Sequence, residues 1–177
     1  MAEAFFERVD IDPTHTHLPR GDATDPQAAS NAYETLIEEA DGFDLQLLGI
    51  GQNGHMGFNE PTASLGSRTR IKTLTASTLR ANQRYFASFE ETPRYAITMG
   101  VASILASRKC LLLATGEAKA DAVARMIEGP LSAACPSSAL QLHAHATDIL
   151  DQAAATGLKL SEYYETVHPQ GRDSVFD

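Results

Sequence analysis

The sequence predicts an α/β fold in which an open, doubly wound and mostly parallel sheet is flanked by helices. Short apolar runs alternate with helical patterns along the chain, which favours parallel strands joined by crossover helices. One apolar run, residues 44–50, ends in a glycine-rich stretch, as a strand does where it delivers a loop to the carboxyl edge of such a sheet. The chain has 177 residues, enough for one domain with a real core. We therefore expect a single domain over residues 1–177.

Composition and charge restrict the classes of function. The formal net charge of −9 argues against a nucleic-acid partner, but a few local cations are enough for a small phosphorylated substrate. Cys110 and Cys135 form neither a disulfide framework nor a metal-ligand spacing. No apolar run approaches the ~20 residues of a membrane span, and Met1 is not followed by a signal-peptide pattern. We expect a soluble cytoplasmic protein with no membrane partner.

The first segment of the chain is typical of the end of a structural element rather than of its beginning. Residues 1–10 are typical of the end of a helix, and their two phenylalanines present apolar surface with little ahead of them to cover it. Residues 11–20 contain two prolines and predict an extended connection, in which His15 and His17 are surface residues rather than ligands. The pattern is a first indication that the chain is N-terminally incomplete.

A helix and a strand follow this connection. Asp25 and Pro26 predict a helix start, because they provide an N-cap and a proline at the first helical position. The apolar stripe that follows has helical spacing, and Gly42 closes the helix. With the strand at residues 44–50 it forms one αβ unit.

The glycine-rich stretch at residues 48–61 is the strongest candidate for a functional site. Its four glycines let the backbone pass close to a small ligand, and the polar side chains that we expect to face that ligand are Asn53, His55, Asn59 and Glu60. Histidine is suited to proton transfer near neutral pH, and the carboxylate of Glu60 is the natural group to fix its tautomer. The alternative is a glycine-rich connection with one hydrogen-bonded histidine. The density of glycines and polar groups behind a strand favours a site.

Basic residues follow the glycine-rich stretch. Residues 70–75 predict a strand that places Arg70 and Lys72 on one face. A helix is expected from Ser77, and it carries Arg84. Taken alone, such charges are more often part of a solvated face than of a site.

Two further apolar strands are predicted at residues 95–99 and 109–114, with a short helix at residues 101–105 between them, and this order implies parallel pairing. Residues 115–119 then combine a glycine, a helix start and Lys119, which together form a candidate anion site. A solvent-exposed helical lysine is an equally good interpretation of Lys119.

The remaining chain predicts a loop at residues 130–138, a strand or turn at 139–143, a strand at 146–150, a helix at 158–167 and a frayed polar tail at 168–177. His143 and His145 are two residues apart, but no third ligand has a convincing spacing, so we expect no metal site.

The string LGIGQNGHMGFNEP at residues 48–61 closely resembles the signature of the glucosamine-6-phosphate deaminase (isomerase) family. In that family a strand is followed by a Gly-Asp/Asn-Gly-His loop that ends in Phe-Asn-Glu-Pro, and the related 6-phosphogluconolactonases differ at this ending. Further similarity lies in SRTRIKTLT, RYAITMGV, TGEAKA and LQLH. The resemblance implies the family's open, doubly wound sheet. It also implies the conversion of glucosamine 6-phosphate to fructose 6-phosphate and ammonia in amino-sugar catabolism, without a metal or organic cofactor.

The resemblance also implies roles for three residues of the signature. His55 is the residue that assists opening of the sugar ring, by passing a proton between the ring oxygen and the anomeric hydroxyl. Glu60 and Asn53 are its orienting partners. Many members have Asp at the position of Asn53, and a neutral Asn stabilises a charged imidazole less well.

Four cations acquire roles in the same way. Arg84 and Lys119 align with the family's ligands for the substrate phosphate. Arg70 and Lys72 fall where regulated bacterial members bind an allosteric amino-sugar phosphate. Each of these roles is implied by position alone.

Two family segments do not occur in these 177 residues: a Gly-Thr-Pro loop that cradles the phosphate, and an Asp-Glu-Tyr segment whose aspartate is the base at carbon 2. We therefore expect the C-terminal two thirds of the family domain. The alternative, from another class, is a non-catalytic phosphosugar-binding or regulatory remnant, and a sibling isomerase or lactonase is a weaker one. Exposed apolar surface at the beginning of the chain favours a homo-oligomer.

Overall fold

The computed structural model describes residues 5–171, and in this part of the chain five strands form two sheets. The strands are β1 (Gln46–Gly49), β2 (Arg70–Thr73), β3 (Tyr95–Thr98), β4 (Cys110–Ala114) and β5 (Ala146–Leu150). A parallel sheet has the order β1-β4-β5, and β2 and β3 form a separate antiparallel pair. The predicted α/β fold with a parallel sheet flanked by helices is thus confirmed.

The described residues form six α-helices. They are α1 (Pro26–Glu39), α2 (Ala76–Asn82), α3 (Val101–Leu105), α4 (Ala120–Ile127), α5 (Gln152–Ala155) and α6 (Ser161–Val167). The predicted start of α1 is confirmed, because the Asp25 carboxylate accepts hydrogen bonds from the backbone N–H groups of Gln27 and Ala28, both at 3.0 Å. This cap satisfies two of the unpaired donors of the first turn.

The core lies on one face of the parallel sheet. Side chains alternate across a strand, so Cys110, Leu112 and Ala114 of β4 are all buried on that face. Val123 and Met126 of α4 are buried in the same apolar cluster. Their burial fixes the sheet against α4 and so sets the position of the loops that leave the carboxyl ends of the strands.

The opposite face of the sheet is open in the described residues. Leu47, Leu113 and Ile149 are 59%, 43% and 53% exposed. The strand register places Leu113 beside Ile149, and Leu47 in the neighbouring row. This face is therefore a contiguous exposed apolar surface of the chain.

The pairing of β3 differs from the prediction. Strands at residues 95–99 and 109–114 were expected to be parallel neighbours, but β3 pairs antiparallel with β2, in a sheet of its own. The physical reason is the burial pattern: β2 alternates between half-buried and exposed positions, as suits a sheet with one solvated face. Arg70 and Lys72 share its half-buried face, as expected.

A buried glutamate ties this antiparallel pair to two helices. Glu34 of α1 accepts hydrogen bonds from the Thr69 backbone N–H at 2.7 Å and from the Ser103 hydroxyl of α3 at 2.6 Å. Its second oxygen pairs with the Arg68 guanidinium at 2.7 Å. Burial raises the pKa of Glu34, but the hydrogen bonds from Ser103 and Thr69 and the charge of Arg68 outweigh burial and leave this pKa below its ordinary value.

Three further elements differ from the sequence interpretation. Residues 139–143 were expected to form a strand or turn, but Pro136–Leu142 is a 3₁₀ helix. Its start is fixed by the Ser138 hydroxyl, which bonds both the N–H and the carbonyl of Ser132. Helix α5 was not predicted, and α6 begins at Ser161 rather than at residue 158, because the Glu128 carboxylate accepts the N–H groups just before it.

The two ends of the chain lie partly outside the described residues. Of the helix end expected at residues 1–10, the structure describes a 3₁₀ turn at Phe6–Arg8, and residues 1–4 lie outside it. Of the expected tail at residues 168–177, it describes a 3₁₀ turn at Pro169–Gly171, and residues 172–177 lie outside. None of the described helices is long and apolar enough to cross a membrane.

Candidate active site

A cleft of about 700 Å³ lies at the carboxyl end of β1. One wall is the glycine-rich loop after the strand, the second is α2, and Lys119 closes a third side. The lining residues are Gly49, Ile50, Gly51, Gln52, Asn53, His55, Gly57, Ser77, Thr78, Ala81 and Lys119. The predicted position of a site, where an apolar strand breaks into glycines, is therefore the position of a cleft of suitable size for a small ligand.

Asn53, His55 and Glu60 form a chain of hydrogen bonds behind this cleft. The Nδ1 atom of His55 lies 2.7 Å from Asn53 Oδ1 and 3.4 Å from Glu60 Oε2. The amide nitrogen of Asn53 donates to Glu60 Oε2 at 2.7 Å. His55 is 24% exposed at its side chain and Glu60 only 4%, so the imidazole faces the cleft and the carboxylate stands behind it.

The direction of these bonds fixes the tautomer of His55. A carboxylate only accepts hydrogen bonds, so the Asn53 amide must turn its NH₂ group toward Glu60 and its oxygen toward His55. The oxygen of Asn53 also accepts the backbone N–H of His55 at 3.2 Å. Nδ1 of His55 therefore carries a proton, and Nε2 is the ring nitrogen left to exchange protons with a ligand.

Two hydroxyls at the start of α2 hold the other oxygen of Glu60. Thr78 donates a short hydrogen bond to Oε1, and the hydroxyl of Thr75 lies 3.1 Å from the same atom. Burial raises the pKa of Glu60, but the bonds from Thr78 and Asn53, the charge of His55 and the bond from Thr75 together bring it below its ordinary value. Glu60 is thus a buried carboxylate that remains ionised.

The His55 ring lies flat against Gly51. A Cβ atom at Gly51 would stand 2.2 Å from Cε1, 2.4 Å from Nδ1 and 2.5 Å from Nε2 of the imidazole. The close approach therefore requires glycine. At Gly54 the requirement is the backbone, since its φ of +85° lies in the left-handed region.

Asn59 does not face the cleft, in contrast to the sequence interpretation. It is fully buried, and its amide donates to the carbonyls of Met56 at 3.1 Å and Met99 at 2.8 Å. These bonds fasten the end of the loop to the chain just after β3. Asn59 is therefore a structural residue, because two buried carbonyl groups need a donor at that point.

Lys119 reaches the cleft, but not in the way the sequence suggested. Its ammonium donates to the Ile50 carbonyl at 2.6 Å, at the end of β1. One donor of the expected anion site is already engaged, because the Gly116 N–H donates to the carboxylate of Asp151 at 3.0 Å. Lys119 is the residue of this segment that lines the cleft.

The other three candidate cations are not among the residues that line the cleft. Arg84 lies in a 3₁₀ turn after α2, where it bonds the hydroxyl of Tyr85 at 2.8 Å and stands 4.8 Å from the centre of its ring. Arg70 and Lys72 lie on β2, and burial lowers the pKa of Arg70. The structure thus brings together Asn53, His55, Glu60 and Lys119 of the seven candidates.

Sequence reasoning missed Thr75, Thr78 and the contact of Gly51 with the imidazole. Thr75 had a signal, because a threonine before a helical run is a common N-cap, and its hydroxyl does accept the Thr78 N–H at 3.3 Å. Thr78 had no such signal in the local sequence, since its role depends on a glutamate eighteen positions away.

No group of three or more His, Cys, Asp or Glu suited to a metal ion occurs in the described residues.

The comparisons with known proteins agree on one family. The family model for glucosamine-6-phosphate isomerases and 6-phosphogluconolactonases matches residues 1–149. A glucosamine-6-phosphate deaminase of Shewanella loihica is 53% identical over 172 residues, which cover 97% of this chain and 64% of that protein. One of Cellvibrio japonicus is 54% identical over 172 residues, with 97% and 65% covered. The chain thus spans just under two thirds of the length of these relatives.

Solved structures give the same picture for the fold. The structure of a monomeric glucosamine-6-phosphate deaminase matches with a TM-score of 0.85 and 44% identity, over 89% of this chain and 65% of that one. A 6-phosphogluconolactonase from Trypanosoma cruzi matches with a TM-score of 0.58 and 21% identity, over 75% of this chain and 52% of that one. The second likeness concerns the fold alone.

Proposed function

Since the chain belongs to the family of glucosamine-6-phosphate isomerases and 6-phosphogluconolactonases, we propose that it catalyses the conversion of glucosamine 6-phosphate to fructose 6-phosphate and ammonia in amino-sugar catabolism. The observation that carries this proposal is the chain of bonds from Glu60 through Asn53 to His55, which leaves one imidazole nitrogen for the cleft. The relatives described as glucosamine-6-phosphate deaminases, at about half identity over nearly the whole chain, support the choice of substrate.

In this proposal His55 opens the sugar ring. Its Nε2 accepts the proton of the anomeric hydroxyl and returns a proton to the ring oxygen, while the bond between carbon 1 and the ring oxygen breaks and a carbonyl forms at carbon 1. The imidazole carries positive charge between the two transfers. Glu60 stabilises that charge from 3.4 Å, and Asn53 keeps the ring in one orientation.

Lys119 is the proposed partner of the substrate phosphate. It is half-buried at the cleft and already has a defined position through the Ile50 carbonyl. We propose Arg84 as a second phosphate ligand, which would exchange its contact with Tyr85 for the stronger attraction of an anion. Arg70 and Lys72 remain proposed ligands of an allosteric sugar phosphate, on the half-buried face of β2.

One observation favours a second candidate function, a phosphosugar-binding protein without turnover. After ring opening, a base must take the proton from carbon 2, and within residues 5–171 no Asp or Glu lines the cleft. Glu60 is buried behind His55 and fully occupied by hydrogen bonds. Binding without ammonia release is what such a cleft predicts.

Ammonia release from glucosamine 6-phosphate by the purified chain tests the proposal. We expect release that falls at least ~100-fold in His55→Gln, because proton transfer by a positioned histidine contributes ~10²–10⁴ in rate. His17→Gln is the matched control, since His17 is exposed and far in sequence from the loop. No release from the folded chain, together with calorimetric binding that Lys119→Met weakens, would establish the binding function instead. Absence of both would refute both candidates.

The lactonase activity of the wider family is tested in the same preparation. We expect no hydrolysis of 6-phosphogluconolactone above the background rate, because the loop ends in Phe58, Asn59, Glu60 and Pro61 as in the deaminases. His55-dependent hydrolysis would move the chain to the lactonase branch.

We further propose a cytoplasmic homo-oligomer. A phosphorylated substrate and two free, buried cysteines are consistent with the cytoplasm. The exposed apolar face with Leu47, Leu113 and Ile149 supports self-association. A monomeric mass of the purified chain in light scattering would refute the oligomer.

A further inference from the structure

We propose that Thr78 is a positioning residue of the active site, whose hydroxyl holds the Glu60 carboxylate so that Asn53 presents its amide oxygen to His55. This inference rests on the proposed function for its kinetic consequences, but the orientation of the imidazole can be measured without turnover. Thr78 touches the carboxylate and acts on the chemistry through it.

The two oxygens of Glu60 have different hydrogen-bond donors. Oε1 receives the hydroxyl of Thr78 and lies 3.1 Å from that of Thr75, while Oε2 receives the Asn53 amide at 2.7 Å. A carboxylate held at Oε1 alone fixes the direction in which Oε2 points. Without the Thr78 hydroxyl, Oε1 keeps only the 3.1 Å contact with Thr75, so the carboxylate is less firmly oriented and the Asn53 amide has a less defined partner.

The side chain of Thr78 is not the N-cap of α2. Thr75 is the N-cap of α2, because its oxygen accepts the N–H of Thr78. The cap bond uses the backbone N–H of Thr78, whereas its side chain is only 7% exposed, accepts the Thr75 hydroxyl at 3.1 Å and directs its own hydroxyl at Glu60. A buried hydroxyl without a partner is unfavourable, so valine would suit this position if packing were its only role.

Helix α2 also forms part of the cleft. Ser77, Thr78 and Ala81 of α2 line one wall, and the loop with Asn53 and His55 lines another. The Glu60 carboxylate connects the two walls from behind, because it accepts the Thr78 hydroxyl from one and the Asn53 amide from the other. The same contact therefore sets the orientation of the imidazole and the distance across the cleft.

The titratable side chain that faces Glu60 from its own loop is His55, at 3.4 Å, and α2 contributes the hydroxyls of Thr75 and Thr78. Loss of the Thr78 hydroxyl removes a donor that favours the ionised carboxylate, so the pKa of Glu60 should rise in the variant. If catalysis needs ionised Glu60, the acidic limb of the pH–rate profile then moves to higher pH.

The experiment compares Thr78→Val, Thr78→Ser and the matched control Thr92→Val in the full chain. Thr92 is also a buried threonine, but its hydroxyl donates to the Ser88 carbonyl and it does not line the cleft. Imidazole ¹⁵N NMR reports the tautomer of His55, carboxyl ¹³C NMR reports the titration of Glu60, and ammonia release reports kcat and KM.

In Thr78→Val we expect a mixed tautomer of His55, a raised pKa of Glu60 and a fall in kcat of about tenfold, since hydrogen bonds to charged groups are worth that much. KM should change by less than about threefold, because the phosphate ligand Lys119 is untouched. Thr78→Ser keeps the hydroxyl and should restore all three readouts, and Thr92→Val should match the parent chain.

A single Nδ1-protonated tautomer and an unchanged Glu60 titration in folded Thr78→Val would overturn the proposal. So would equal losses in Thr78→Val and Thr78→Ser, which indicate packing rather than the hydroxyl. If Thr78→Val does not fold, Thr78→Ala is compared with Thr78→Ser under the same criteria. A parent chain that releases no ammonia refutes the deaminase function alone, since the two NMR readouts still decide the role of Thr78.

Discussion

Replacement of Gly51 by alanine should separate the geometry of the site from the stability of the fold. The new Cβ would lie 2.2–2.5 Å from three atoms of the His55 ring, whereas ordinary contact begins at 3.4 Å. The φ of Gly51 is not in the left-handed region, so the backbone itself accepts alanine. The clash falls on the ring of one side chain, which can turn away more easily than the buried loop can move.

The expected magnitude follows from that clash. The ring must retreat by at least ~1 Å to restore van der Waals contact, and a misplacement of this size costs ~10²-fold in rate. The Nδ1 bond to Asn53, now 2.7 Å, is lost in the same movement. We expect kcat/KM for ammonia release to fall about 100-fold, while the free energy of unfolding changes by less than ~1 kcal/mol.

The assay pairs ammonia release with urea unfolding and imidazole NMR. Gly66→Ala is the matched control, because a Cβ there meets nothing closer than 3.9 Å and Gly66 does not line the cleft. The reasoning is refuted if Gly51→Ala keeps kcat/KM within about threefold of the parent chain. It is refuted equally if the Nδ1 proton of His55 gives an unchanged signal.

Three other predictions concern the carboxylates. Asn53→Asp replaces the 2.7 Å donor to Glu60 by a second carboxyl group, so one of the two carboxyls should keep its proton to higher pH. The acidic limb of the pH–rate profile should therefore move upward, and an unmoved limb contradicts this. Glu34→Gln should lower the free energy of unfolding in urea by ~1–3 kcal/mol, against less than ~0.5 for the exposed control Glu38→Gln. Because the pKa values of Glu34 and Glu60 lie below the ordinary 4.5, their contribution to stability is present above that pH and is lost as the pH falls through the lowered values. If the urea midpoint of unfolding does not decrease at pH values below 4.5, the lowered pKa values of Glu34 and Glu60 are contradicted.

The parts of the fold that could be predicted are those with a local cause. Helix α1 has its capping aspartate and proline at the start and a helical stripe behind them, so its first residue followed from the sequence. The apolar run at residues 44–50 contains β1, and the glycines after it do form a loop at the carboxyl end of the strand. In each case the signal lies within a few residues of the structure it determines.

The parts that could not be predicted depend on partners far along the chain. The antiparallel pair of β2 and β3 is held against α1 and α3 by Glu34, whose hydrogen-bond donors lie 35 and 69 residues away along the chain. Asn59 was placed in the site because it is polar and near His55, but it is directed to the Met99 carbonyl, forty residues away. Polarity in a loop does not distinguish a side chain that faces a ligand from one that satisfies a buried backbone group.

Asn53 explains why the site depends on residues outside the glycine-rich loop. An amide donates from one end and accepts at the other, so it transmits orientation from Glu60 to His55 but carries no charge of its own. The stabilisation of an imidazolium therefore falls to Glu60, which stands 3.4 Å from Nδ1. A carboxylate that is 4% exposed keeps its charge only through its hydrogen-bond donors, and two of these belong to α2. In this chain the ionised carboxylate behind His55 is consequently held by the start of a helix, as much as by the loop that carries the histidine.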